Sequence, residues 1–353
     1  ANAISGLGQL NKLGGNTLSF TGLNSYTGAT GTGTSGGVVF THNTAPTTAG
    51  FTGAGTVTIE PTTTFANAGI SNYTFANTIS GFTWGKSSNV ADLTLASPIT
   101  IAGPSSFYRC HITLNASLSS SLANAAVLLK ASGNVTQANN VTVSSNGGDI
   151  TLWANSDGDT VNYGGILLNP GALISSQNGN ITLGGGTSLA TGYATNKTTN
   201  VGSVSANASE FSAGVALFNA SISAGTGSVS VRGESVGSAD DYAMGILLRG
   251  DAGTSSITGG AIALVGMSNN AGNASGNGSS NSGIAVMNST ITGTGAVSLN
   301  GTGSAGTGGA SSNNRGIYLE AAALTSSTSS MSLTGAGRAS NANNDGVSMV
   351  NAT

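Results

Sequence analysis

Apolar residues in this chain come in short alternating bursts, not in helical stripes. In the C-terminal half the bursts recur as apolar-x-apolar triplets: Ile150-Thr151-Leu152, Ile181-Thr182-Leu183, Val229-Ser230-Val231, Ile262-Ala263-Leu264, Val297-Ser298-Leu299 and Met331-Ser332-Leu333. Period-2 alternation over so few residues predicts short β-strands. Each triplet is followed by a second apolar burst that opens on glycine, at Gly165, Gly214, Gly245, Gly283, Gly316 and Gly346. A third, shorter burst follows at Leu173-Ile174, Ile222, Ile257, Ile291 and Leu324. The second-burst glycines are 49, 31, 38, 33 and 30 residues apart. Nearly all of that spread falls between the first and second bursts, in Gly/Asn/Ser/Ala stretches such as 269–282 and 301–314. These stretches have no apolar period and predict surface loops.

Three short strands, turns and one variable loop make a unit that cannot bury its apolar side alone. Stacked copies can, one strand spacing per unit. The predicted fold is therefore all-β: a parallel β-helix (solenoid) in a single continuous stack. Small residues at the middle of the first strand, such as Thr151 and Ser230, suit an exposed face, and Gly and Asn at corners tolerate positive φ.

Residues 1–110 differ from residues 111–353. They hold 11 of the 18 aromatic residues and four of the five prolines. Strands are still short there, as at 17–20, 38–40, 57–59, 93–95 and 99–101. The prediction is a continuing β-helix with a bulkier core, followed by regular units with variable loops over 111–353.

Composition narrows the function. Of 353 residues only 6% are charged and 56 are glycine, against about 25% and about 7% in ordinary proteins. A formal net charge of −3 provides no basic patch for phosphates, so nucleic acid is not an expected partner. The lone Cys110 forms no internal disulfide, and no apolar run is long enough for a transmembrane helix.

Several segments carry a resemblance. Residues 8–28, with Lys12-x-Gly14, Leu18-x-Phe20 and Asn24-x-Tyr26-x-Gly28, resemble the autotransporter-associated β-strand repeat. Residues 79–86, 127–137 and 147–157 look like adhesins of the filamentous-haemagglutinin type, and the C-terminal units are similar to repeat arrays of giant bacterial surface proteins. The resemblance implies a right-handed β-helix, secreted and displayed on a bacterial cell surface as a filament or adhesin. No secretion-signal domain of the two-partner type and no membrane barrel is recognisable. The chain stops inside a repeat, just after Gly346-Val347-Ser348-Met349. It is expected to be either a window on a longer protein or a subunit whose ends stack on further copies.

Candidate chemistry is sparse. Glu60, Asp92, Asp149, Glu210, Glu234, Glu320 and Asp345 are scattered along the sequence, so no catalytic residues and no cofactor are assigned. No metal site is assigned: Asp157 and Asp159 flank a glycine as a hard cation prefers, but the calcium-binding repeat that would hold one does not recur, so they are candidates only. The pair Asp240/Asp241 reads as loop carboxylates. His42 and His111 lack a metal-site spacing. Cys110 reads as a small core residue, and Asn273 and Asn277 are candidate glycosylation sites in a loop. The expected function is a structural extracellular rod in a surface filament or adhesin. Its partners would be copies of itself, end to end or laterally, the rest of a longer chain, or glycans or proteins of a host or neighbouring cell surface. The alternatives are a self-polymerising fibre subunit and a carbohydrate-active β-helix enzyme.

Overall fold

The computed structural model describes residues 4–22, 24–26, 28–64, 69–88, 91–159, 164–196, 212–236, 243–251, 253–269, 281–304, 314–337 and 344–353. Among them the regular structure is strand, apart from one 3₁₀ turn at Ile70–Asn72. No helix there is long and apolar enough to cross a membrane.

The chain circulates through three sheets. A representative turn places Ile150–Ala154 in the first sheet, Ile166–Leu168 in the second and Leu173–Ser175 in the third. The next strand, Ile181–Gly185, then pairs in parallel with Ile150–Ala154. The first sheet has 13 strands, from Leu18–Phe20 to Met331–Ala336. The second has nine, from Leu93–Leu95 to Val347–Val350, and the third has eight, from Ile99–Ile101 to Ala323–Ser326. Two smaller sheets, of four and two strands, complete the first coils. All pairings between these strands are parallel, as in the rungs Val229↔Ile262 and Ile246↔Ile284. The arrangement is all-β with stacked parallel sheets, consistent with a β-solenoid. Twelve successive rungs of the first sheet at about 4.8 Å each span roughly 50 Å.

Register explains the sequence period. Val127, Ile150, Ile181, Val229, Ile262 and Val297 stack in one column, and Leu129, Leu152, Leu183, Val231, Leu264 and Leu299 in the next. All are buried in one continuous apolar cluster that runs from Phe20 to Ala322. The strand positions between them stay half-buried or exposed, as Ser230 and Ala263 do. At the N-terminal end the same columns hold Phe20, Phe40, Trp84 and Phe107. Their rings meet each other directly, Phe20 with Phe40 at 5.0 Å and Phe82 with Phe107 at 5.6 Å. The first sheet passes residue 110 without a break in its rungs.

Two features go beyond the sequence pattern. The middle residues of the second strands, Leu167, Ala216, Leu247 and Ala285, are not exposed. With Ala213, Phe218 and Met244 they form a second buried cluster on the outer side of that sheet. A sheet buried on both faces loses the alternation that one solvated face would show. The glycines that open the second strands are there for closeness, not for positive φ. A Cβ on Gly245 would lie 2.2 Å from Met267 N, and one on Gly283 would lie 2.2 Å from Thr302 N. On the facing strand, a Cβ on Gly266 would lie 2.0 Å from Gly283 O, and one on Gly301 2.0 Å from Gly316 O. Gly233, Gly266, Gly301 and Gly335 stack in register. Two columns of glycine thus pinch the chain where it leaves the first sheet and where it enters the second. Positive φ is instead used at the corner after the second strands, by Asn219, Asn288, Ala321 and Asn351, at 45° to 50°.

Candidate functional site

The main departure from regular coiling follows the strand Ile181–Gly185. Residues 186–193 make a detour, after which Ala194–Asn196 rejoins the first sheet by pairing with Gly233–Ser235. Neighbouring coils hold the detour on both sides. Trp153, in the rung before, donates its indole N–H to Gly186 O at 2.7 Å, with the Lys130 ammonium 3.9 Å from its ring centroid. Arg232, in the rung after, donates to Thr191 O at 2.9 Å and Gly192 O at 3.2 Å, and its guanidinium lies 4.6 Å from the Tyr193 ring centroid.

Behind this wall lies a groove of about 430 Å³, lined by Asn155, Asp159, Thr187, Tyr193, Glu234 and Asn269 among others. The volume falls in the range of small-molecule sites, about 300–1,000 Å³. Glu234 accepts a hydrogen bond from Asn269 Nδ2 at 3.3 Å. Burial pushes its carboxyl up from the ordinary value, and hydrogen bonds from Asn269 and Thr195 pull it part of the way back. Asn155 is 5% exposed, and its Oδ1 has no partner among the described residues.

Asp157 and Asp159 sit on either side of a tight turn. Asp157 Oδ1 accepts the Asp159 N–H at 3.2 Å, and Gly158 takes φ +67°. Asp159 lines the groove, while the Asp157 charge acts on Cys110. Glu234, one of the scattered acids, is therefore brought into one groove with Asp159 from 75 residues away. The signal that could have found it is the register Arg232↔Val265, which places the strand end Glu234–Ser235 beside Met267–Ser268 and the loop foot Asn269. Asn273, Asn277, Glu210, Asp240 and Asp241 lie outside the described residues.

Cys110 is half-buried at a corner, not in the core as expected. It stands with Asp92 and His111, their potential ligand atoms all within 4.8 Å of one another, a cluster that sequence spacing alone did not reveal. These groups are already engaged. Asp92 Oδ1 accepts the His111 N–H at 3.1 Å, His111 Nδ1 accepts the Asn134 N–H at 3.0 Å, and Asn134 Oδ1 accepts the Gly165 N–H at 2.8 Å. Each side chain caps the backbone of the next coil. The His111 Nδ1 lone pair, which this neutral imidazole would offer a metal, is in use, and the ring proton sits on Nε2. Burial pushes the Cys110 thiol up, and the Asp92 and Asp157 charges push the same way, so the thiol is kept from the reactive thiolate form. His42 is likewise structural, its Nδ1 accepting the Thr44 N–H at 3.0 Å.

No protein-family model matches this chain, and no curated protein and no solved structure is significantly similar to it.

Proposed function

We propose that the chain is a right-handed β-helical rod, secreted and displayed on a bacterial cell surface as part of a filament or adhesin. The observation that carries this reading is the first sheet, with one buried core running beneath its rungs from Phe20 to Ala322. Such a stack is held by backbone hydrogen bonds along its axis and resists bending and extension. Right-handedness follows the general preference of parallel β crossovers. The resemblance to autotransporter and filamentous-haemagglutinin-type repeats supports the cell-surface setting.

Antibodies against the folded chain test the reading on cells of the source. Labelling of intact cells, on fibres or patches, is the expected result; labelling only after permeabilisation overturns it. One observation favours a second reading, a carbohydrate-active enzyme: Asp159 and Glu234 line the same groove. New reducing ends released from polysaccharide by the wild type, and not by Glu234→Gln, would replace the passive reading of that groove.

A further inference from the structure

We propose that the groove between the 186–193 detour and Glu234 is a binding subsite for a neutral sugar unit, recognised through its hydroxyl groups. This deepens the reading of the chain as an adhesive surface rod and rests on it.

The groove is built, not incidental. Its wall is fixed from both neighbouring coils by Trp153 and Arg232 through backbone carbonyls. A wall held in this way does not have to be ordered when a ligand arrives, which lowers the cost of binding. The buried amide Asn155 forms part of its lining.

The lining chemistry selects the ligand class. Threonine and serine hydroxyls, the two amides Asn155 and Asn269 and the carboxylates of Asp159 and Glu234 form a mixed set of donors and acceptors. A polyol, which donates and accepts at each hydroxyl, matches such a set. An anion is opposed by the Glu234 carboxylate, and the Arg232 guanidinium is turned to Thr191, Gly192 and the Tyr193 ring. An ammonium, which only donates, would leave the hydroxyl and amide donors unmatched.

Calorimetric titration of the intact chain tests the assignment, with lactose, cellobiose and N,N′-diacetylchitobiose as neutral probes. Digalacturonic acid is the anionic probe and glucosamine the cationic one. The expected result is saturable binding of at least one neutral disaccharide, with Kd of roughly 1 mM or tighter. Glu234→Gln and Asn269→Ala should each weaken it about tenfold, and Thr94→Ala on the second sheet should not. Asn269→Ala removes an exposed side chain, so it keeps the test sound should the Glu234 variant disturb the fold. No neutral binding at about 20 mM, binding unchanged in both groove variants, or preference for the charged probes overturns the assignment. If the neutral probes fail while antibodies still label intact cells, the subsite falls and the rod reading stands. Labelling confined to permeabilised cells removes the rod reading whatever the groove binds.

Discussion

Replacing Gly283 by alanine should cost far more than a methyl group in a strand normally does. The added Cβ would lie 2.2 Å from Thr302 N, 2.7 Å from Gly266 O and 2.8 Å from Gly301 C. All three obstacles are backbone, so no side-chain rotamer relieves them; the strands must part by about 1 Å. Overpacking of this kind costs about 1–3 kcal/mol. The shift also strains the bonds that tie the rung to its neighbours, Gly283 N to Arg315 O at 3.1 Å and Ile246 N to Gly283 O at 3.0 Å, each worth about 0.5–1.5 kcal/mol net. The expected loss is about 3 kcal/mol. Gly184→Ala is the control, because its nearest obstacle is the tip of Leu189 at 3.3 Å. In a strand the alanine regains about 0.5–1 kcal/mol of chain entropy, so that variant should be neutral.

In a stacked array the loss is local. Hydrogen exchange followed by mass spectrometry should therefore show faster exchange in peptides covering 262–302, by about a hundredfold for 3 kcal/mol. Exchange near Val57 should not change. If Gly283→Ala stays within about 1 kcal/mol of Gly184→Ala, close approach is not why glycine stands there. Gly266→Ala blocks the same neck from the facing strand, with Gly283 O 2.0 Å from its Cβ. Once one alanine has opened the neck the second has less to do, so the double variant should lose at least about 1 kcal/mol less than the sum of the singles.

Other substitutions probe other parts of the stack. Ala321 holds φ 46° at a corner where Asn219, Asn288 and Asn351 hold the same conformation, and a left-handed alanine costs about 1 kcal/mol; Ala321→Asn should raise the denaturation midpoint by about 0.5–1 kcal/mol of stability. Gln137 is fully buried in the column Leu95, Leu114, Leu168, its Oε1 without a partner among the described residues. Its Nε2 donates to Val141 O at 2.6 Å and Leu173 O at 3.0 Å, so Gln137→Leu should cost about 1–2 kcal/mol in urea denaturation, and Gln137→Ala, which also leaves a void, about 3–4 kcal/mol. Burial raises the Glu234 carboxyl, so the folded state holds that proton more tightly than the unfolded chain, and its contribution to stability falls as pH rises through the unfolded value of about 4.3. Glu234→Gln should therefore raise the melting temperature at pH 7 relative to wild type, with the gain fading toward pH 4; a gain equal at both pH values would place the effect elsewhere.

The coil was readable in the sequence because its cause is local. Pairs such as Ile150 and Leu152 recur in each unit, and the register stacks them on Ile181 and Leu183. The groove was not readable, because its cause is contact between coils. Arg232 reaches Thr191 across 41 residues, Trp153 reaches Gly186 across 33, and Glu234 meets Asn269 across 35. No fixed spacing connects such pairs while loop lengths vary from unit to unit. The same holds for Asp92, whose neighbour His111 lies 19 residues on, one coil later in a stretch where coils are not yet evenly spaced.

The glycine neck accounts for both facts together. Where Gly266 and Gly283 touch, or Gly301 and Gly316, the two ends of an excursion meet at one point, whatever number of residues lies between them. A loop can then lengthen without changing the path of the coil that carries it, since the added chain costs only closure entropy that grows slowly with length. Stacking is thus specified by the few apolar positions of each rung, and the intervening sequence is left free to change composition. This separation explains why the strands repeat closely while the segments between the first and second strands do not. The groove lies at the foot of such an excursion, with Glu234 and Asn269 at strand ends just beyond the necks.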